Sequence, residues 1–435
     1  MTENRWRTTM WATLLAAMLV RVGLVLALKT YGGDAGAYEH ADIAANVVEG
    51  RGFVFAFYND GPLPTSHQAP VIPLLLGACF KIFGVGAPAA LLMMQLLNAL
   101  LGVVTTWGIM RIARHLYGDA AAVIAGVAVA LYPPLVYMAT RVQAVNWAVC
   151  FFVVFVAVLL TLTGGRRWVL AGFAAGLGVL GEPLLLGPLA VVTAVLLLQR
   201  QPVRGVALML AVAALVLLPW MTRNVLVHGR PVLIKSTFWY VFWQGNHLGA
   251  SGTDKLAIDE SLAGQLRGHW SAKGVEGALT AARQQAKSVD VHIPHEAMAE
   301  ILRAPTELAK MAWFRAESWR VLREHPDHYA AMCWRRLVQL CTYDPTNPRA
   351  LLRGYHVQWL LLVLAAAGGI VFGRALDRRS AVLAVAAVLA LAAAHVLVIY
   401  SARFRLPIEA MMLVPVGALA AAVWRRCRRC STKDV

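Results

Sequence analysis

An all-α protein threaded repeatedly through a membrane is the fold class this sequence predicts, and three observations predict it. Hydrophobic residues make up 59% of the 435 and charged residues only 14%, too apolar a balance for a set of water-soluble domains. Runs of about 20 mostly apolar residues, the length that crosses the hydrocarbon core of a bilayer, recur along most of the chain. The basic residues between them form short clusters rather than one polar face. The formal net charge of +17 therefore reads as topology and excludes a nucleic-acid-binding stripe.

The runs, about ten transmembrane helices, fall near residues 9–28, 88–110, 120–139, 144–163, 168–182, 184–198, 205–220, 356–373, 381–400 and 406–424. The fifth and sixth are short and are interrupted by Glu182-Pro183, which predicts a bent hairpin that stops near the outer interface. Short cytoplasmic loops carry an excess of Lys and Arg. Arg5 and Arg7, Arg111 and Arg114, Arg166 and Arg167, Arg200 and Arg204, Arg374 to Arg379, and the tail Arg425 to Arg429 all fall on one side. Both termini are then cytoplasmic, and residues 29–87 and 221–355 face out. The chain divides into a transmembrane module with its first loop (1–220), an outer region with surface helices (221–355), and C-terminal spans with a basic tail (356–435). The first apolar run lacks a small-residue cleavage site and reads as a retained anchor.

In the first outer loop, Tyr38, Ala41, Ala45 and Val48 are spaced for a helix that closes on Gly50, and a second short helix covers Val71 to Phe83 after Pro70. Both read as amphipathic helices lying along the membrane surface. In the larger loop, Tyr329, Met332, Cys333, Leu337 and Leu340 make one apolar stripe, with Trp313, Trp319 and Trp334 as interfacial anchors; an ordinary core stripe of a tethered domain has the same pattern. The six cysteines give no disulfide framework: Cys333 and Cys341 lie about 12 Å apart on a helix. The single Cys427/Cys430 pair falls short of a structural zinc site.

Some charges are left over by topology. Arg141, Arg223, Arg403 and Arg405 break the positive-inside bias at one outer depth, where an arginine either snorkels or meets an anion; four together point to a lipid phosphate, whose oxygens fit the planar guanidinium. Glu39, Asp42 and Glu49 read as the wet face of the first surface helix. Asp34 stands between Gly33 and Gly36 just beyond the first span, where a carboxylate serves either as a tuned general base or as a helix N-cap for residues 35–48. Glu182, at the outer end of a span, needs a partner or water.

Six ordered motifs carry a resemblance: "GGDAGAYEHADIAANVVEGRGF", "SHQAPVIPLLLGACFKIFGVGAPAALLMMQLLNALLG", "MRIARHLYGDAAAVIAGVAVALYPPLVY", "GLGVLGEPLLLGPL", "LPWMTRNVLVHGRPVLIKSTFWYVFWQGNHLGASG" and "SARFRLPIEAMMLVP". In this order the chain resembles the GT-C superfamily of integral membrane glycosyltransferases, and within it the bacterial relatives of protein O-mannosyltransferases and of lipid A aminoarabinose transferases. The resemblance implies a bacterial inner-membrane enzyme that takes a sugar from a polyprenyl-phosphate donor. It passes the sugar, with inversion, to a glycan, lipid or protein hydroxyl outside the cytoplasm. It implies that Asp34 deprotonates or positions the acceptor and that Arg223, Arg403 and Arg405 hold the phosphate; the reading of the leftover charges adds Glu182 as second catalytic candidate and Arg141 as a fourth phosphate-binding residue. Tyr38, His67, Asn224, Gln244 and Asn246 are expected to line the substrate pocket, and residues 250–310 to contact the acceptor. No cofactor is required. The loop after the third span carries Arg141, Gln143 and Asn146 where many relatives have a carboxylate, which leaves a divalent cation open and Glu182 as the replacement acid. Two other readings share the pattern: a transporter or flippase of polyprenyl-linked glycan, and an inactive GT-C-fold binding subunit.

Overall fold

The computed structural model describes residues 1–58, 61–256, 288–347 and 353–431. They are almost entirely helical, with one two-stranded antiparallel ribbon pairing Val54–Phe55 with Leu63–Pro64. Every expected span has a helix: α1 (Glu3–Leu28), α4 (Pro88–Tyr117), α5 (Asp119–Leu131), α7 (Ala144–Thr161), α8 (Gly164–Gly181), α9 (Leu186–Leu198), α10 (Val203–His228), α15 (Arg353–Phe372), α16 (Arg378–Leu397) and α17 (Leu406–Ser431). Among the described residues, seven helices are long and apolar enough to cross a membrane; α5 and α9 are shorter. Large apolar side chains such as Trp11, Leu15, Leu19, Leu361, Leu364 and Phe372 point outward, as a lipid-facing surface requires and a water-facing one would not tolerate. The chain is a multi-pass membrane protein.

The bundle closes through small residues. Gly172 and Gly176 of α8 lie directly against the Met209 and Ala213 carbonyls of α10, the close approach that a four-residue glycine spacing allows. α7 is the most enclosed span, packed on α4 and α8. α5 stops because Tyr132 is extended before Pro133 and Pro134, and a short helix α6 (Pro133–Met138) follows. The carbonyls left at that break are taken by Arg21 of α1, which donates to Val129 O at 3.1 Å and Ala130 O at 3.4 Å and lies across Gly102.

Outside the bundle, α2 (Tyr38–Val48) and α3 (Val71–Phe83) stand where the periodicity places them and pack on each other through Ala44, Val48, Leu76 and Gly77. Residues 238–341 add α11 (Phe238–Asn246), α12 (His295–Arg303), α13 (Glu307–Glu324) and α14 (Pro326–Cys341). α14 corrects the expected apolar stripe. Met332 and Leu340 are buried, but Leu337 faces out, and the inner face carries Arg336, fully buried and donating to Gly245 O and Val396 O, each at 2.6 Å. Two peptide carbonyls, rather than apolar contact alone, thus tie α14 to α11 and α16. Cys333 and Cys341 are free thiols.

Candidate active site

A cavity of about 550 Å³ opens where α2, the N-terminus of α7, the α8–α9 turn, α11 and the segment 399–404 meet. Lys235, Lys255 and Arg403 bring positive charge to its wall, and Glu39, Glu182, Asp254 and Asp290 negative charge. His40 and His67, both buried, complete the polar lining. Burial first, then the Lys235 ammonium, drives both imidazoles down to about 3, with Arg403 adding to the effect on His40 and His40 adding to that on His67. Both rings are neutral at physiological pH and offer one donor and one acceptor each, the pattern that hydroxyl-rich ligands need. Tyr240 donates to both Asp290 oxygens, at 3.0 and 2.9 Å, and its hydroxyl is held firmly protonated by burial and by that carboxylate.

The acidic, glycine-flanked stretch of the first loop lies beside this cavity. Asp34 accepts from Gly36 N–H at 2.8 Å and from Arg141 Nη2 through both oxygens at 3.0 Å, while Arg141 Nη1 reaches the Asp34 carbonyl at 2.6 Å. Asp34 is therefore an ion-pair partner and a turn former, not the cap of α2, which begins at Tyr38. Gly36 has φ +67°, and a Cβ there would run into the Arg141 guanidinium, so both backbone and space demand glycine. Tyr38 itself takes a strained φ of +40° and is among the residues that line the cavity.

The turn that carries Arg141 is fixed from below. Asn98 of α4 donates to Arg141 O at 2.7 Å, Gln95 to Thr140 O at 2.9 Å, and Val142 N–H to Ala35 O at 2.9 Å. Gln143, next along, donates to Gly36 O and accepts from Arg403, each at 3.3 Å, which links the Asp34 turn to the cavity wall.

Of the expected site residues, Tyr38, His67, Glu182, Gln244 and Arg403 line the cavity; Asp34, Arg141, Arg223, Arg405, Asn224 and Asn246 do not. The convergence of Asp34 with Arg223, Arg403 and Arg405 on one cavity is not seen. Arg223 donates to Thr65 O at 2.6 Å and Phe53 O at 3.1 Å and lies over the Trp220 ring, so it holds the strand-like part of the first loop. Arg405 forms a buried ion pair with Glu409 at 2.7 Å, with Tyr132 donating to the same carboxylate and Trp359 stacked on the guanidinium. Asn224 bonds Ser66, Val232 O and Ile234 O, and Asn246 bonds Phe242 O and Val398 O. Asp42 and Glu49 are exposed as expected, but Glu39 is not purely wet, since it faces the cavity. Of the expected acceptor segment, 257–287 lies outside the described residues; Asp254, Lys255, Ser288 and Asp290 on its flanks line the cavity.

Sequence reading missed Lys235 and Glu307. Lys235 lies inside the fifth motif, two residues before the run "TFWYVFW", and donates to Gln68 at 3.1 Å. Glu307, buried in the first turn of α13, accepts from Ser66 N–H at 2.9 Å and from the Thr65 and Ser236 hydroxyls. It joins three distant segments, and no local signal marks it. Among the described residues no group of three His, Cys, Asp or Glu side chains is arranged to hold a metal ion.

Residues 67–223 match the family model of dolichyl-phosphate-mannose-protein mannosyltransferase. No curated protein matches the chain. Among solved structures, an oligosaccharyltransferase of Archaeoglobus fulgidus tethered with an acceptor peptide aligns over 97% of this chain at 13% identity and a TM-score of 0.54. The archaeal oligosaccharyltransferase AglB from the same organism, in complex with an inhibitory peptide and a dolichol-phosphate, aligns over 98% at 15% identity and 0.51. The chain spans about half the length of these two proteins, 50% and 52%. ArnT from Cupriavidus metallidurans, bound to undecaprenyl phosphate, aligns over 97% of this chain and 78% of its own at 14% identity and 0.43, too loose a superposition to carry weight. The resemblance to the GT-C superfamily read from the ordered motifs is thus borne out, by the family match over residues 67–223 and by a fold shared along nearly the whole chain.

Proposed function

We propose that this protein is an inverting glycosyltransferase that moves a sugar from a polyprenyl-phosphate donor to an acceptor hydroxyl at the outer face of the membrane. The observation that carries the reading is the cavity itself: three cations, four carboxylates and two neutral imidazoles meet beside a helix bundle of GT-C type. The match to dolichyl-phosphate-mannose-protein mannosyltransferase supports it, as does the dolichol-phosphate in the structure of AglB. Arg403 and Lys235 meet the phosphate. As the anomeric C–O bond breaks, negative charge grows on the leaving phosphate, and cations already in place stabilise that charge without reorganisation. Arg141, Arg223 and Arg405 are engaged elsewhere and keep the site's frame. His40, His67 and Gln244 bond sugar hydroxyls.

Membranes carrying the protein, given synthetic polyprenyl-phosphate mannose or glucose with a labelled sugar, are expected to release polyprenyl phosphate and to pass label to an envelope component. Arg403→Ala and Lys235→Ala are each expected to lower that rate about tenfold or more at unchanged protein level. Donor carried across the bilayer intact, with no sugar released, would replace the transferase by a transporter.

A further inference from the structure

We propose that Glu182, and not Asp34, takes the proton of the acceptor hydroxyl. The assignment rests on the transferase reading above and adds which carboxylate serves it. Asp34 has both oxygens bound by the Arg141 guanidinium and one also by Gly36 N–H, and the turn that carries Arg141 is held from below by α4 amides. One guanidinium nitrogen thus bridges both Asp34 oxygens, and the half-exposed side chain does not line the cavity.

Glu182 does line it. Its residue is 8% exposed, and among the described residues no side chain or peptide N–H bonds its carboxylate. The chain puts it there by construction. Gly181 sits flat against the Trp147 indole, where a Cβ would overlap the ring, and Trp147 is fixed by donating to Leu177 O at 2.7 Å. The backbone then turns extended at Glu182, and Pro183 ends any continuation of α8. Its carboxylate opens to the cavity, where a ligand's donor can reach it.

Two of the other lining acids have partners: Asp290 accepts from Tyr240, and Asp254 lies 3.8 Å from Lys255. Glu39 is more solvated than Glu182 and stands in the first turn of α2, where it complements the helix N-terminus. In the step that follows, the acceptor O–H proton passes to a Glu182 oxygen and the acceptor oxygen forms the new bond to the anomeric carbon. The bond from that carbon to the phosphate oxygen breaks, its electron pair leaving on polyprenyl phosphate. The Asp34–Arg141 pair acts through the turn it holds, as a positioning unit.

The test uses full-length protein in membranes with labelled polyprenyl-phosphate mannose or glucose, whichever the wild type consumes. Glu182→Gln is expected to lower kcat about a thousandfold with KM for the donor within about threefold, and to abolish the acidic limb of the pH–rate profile. Glu182→Asp keeps a measurable rate with that limb present. Asp34→Asn is expected to lower thermal stability and rate together while the limb stays. If the wild type transfers and Glu182→Gln transfers within about threefold of it, this assignment falls and the transferase stands; so too if Asp34→Asn alone abolishes the limb at unchanged stability. If the wild type transfers nothing, both fall.

Discussion

His40 and His67 show how single residues tie the cavity to the stability of the fold. Each is buried, and each is held near a pKa of about 3 against an ordinary value of 6.5. Between those values the unfolded chain binds protons that the folded chain excludes. The fold therefore keeps its full stability above about pH 6.5 and loses stability through each imidazole as pH falls below that value. Thermal unfolding in detergent from pH 7.5 to 5 is expected to show that decline, and His40→Gln with His67→Gln is expected to flatten most of it. An unchanged slope in the double variant would assign the acid sensitivity elsewhere. At this scale the sequence was legible where chemistry and position coincide. Arg403 and Glu182 were singled out as charges that topology did not explain, and both face the cavity. Arg223 and Arg405 gave the same signal for a different cause. One takes carbonyls from a segment more than 150 residues upstream, which no local pattern reveals; the other pairs with Glu409 one helical turn on, a spacing present in "RLPIE" but overshadowed by the search for an anion.

Whole helices were read more securely than their faces. Length and hydropathy placed ten helices, and Pro70 placed the start of α3, because both signals are local. The face of α14 was not legible, since a stripe of apolar residues at helical spacing does not say that Arg336 will find two peptide carbonyls inside. The glycines of α8 make a sharper case. Gly176 faces the Ala213 carbonyl and Val216 of α10, whereas Gly165 of the same helix has nothing within 4 Å of where its Cβ would stand. Gly176→Val must push the helices apart or strain them, at about 1–3 kcal/mol or more, while Gly165→Ala gains about 0.5–1 kcal/mol from a stiffer unfolded chain. Melting temperatures of the two variants should move in opposite directions. Equal shifts would mean that α8 and α10 do not meet as closely as drawn.

For the whole molecule, the transferase reading depends on which side of the membrane the cavity faces. The clusters of arginine argue for an outward cavity: by the positive-inside rule the loops that join its walls, 29–87 and 221–355, are expected opposite the sides rich in Arg111, Arg114, Arg166, Arg167, Arg200 and Arg204. On that reading Cys341, exposed at the end of α14, is expected outside, and Cys427, exposed near the end of α17, inside. Variants in which Cys341 or Cys427 is the one cysteine left of the six, treated in intact cells with a membrane-impermeant maleimide, are expected to differ completely. Cys341 labels at once, and Cys427 labels only after the membrane is opened. A donor made on a polyprenyl carrier and used outside the cytoplasm requires this orientation. Labelling of Cys427 with protection of Cys341 would turn the cavity inward, place Arg403 and Lys235 where cytoplasmic sugar nucleotides are available, and remove the reason for a lipid-linked donor.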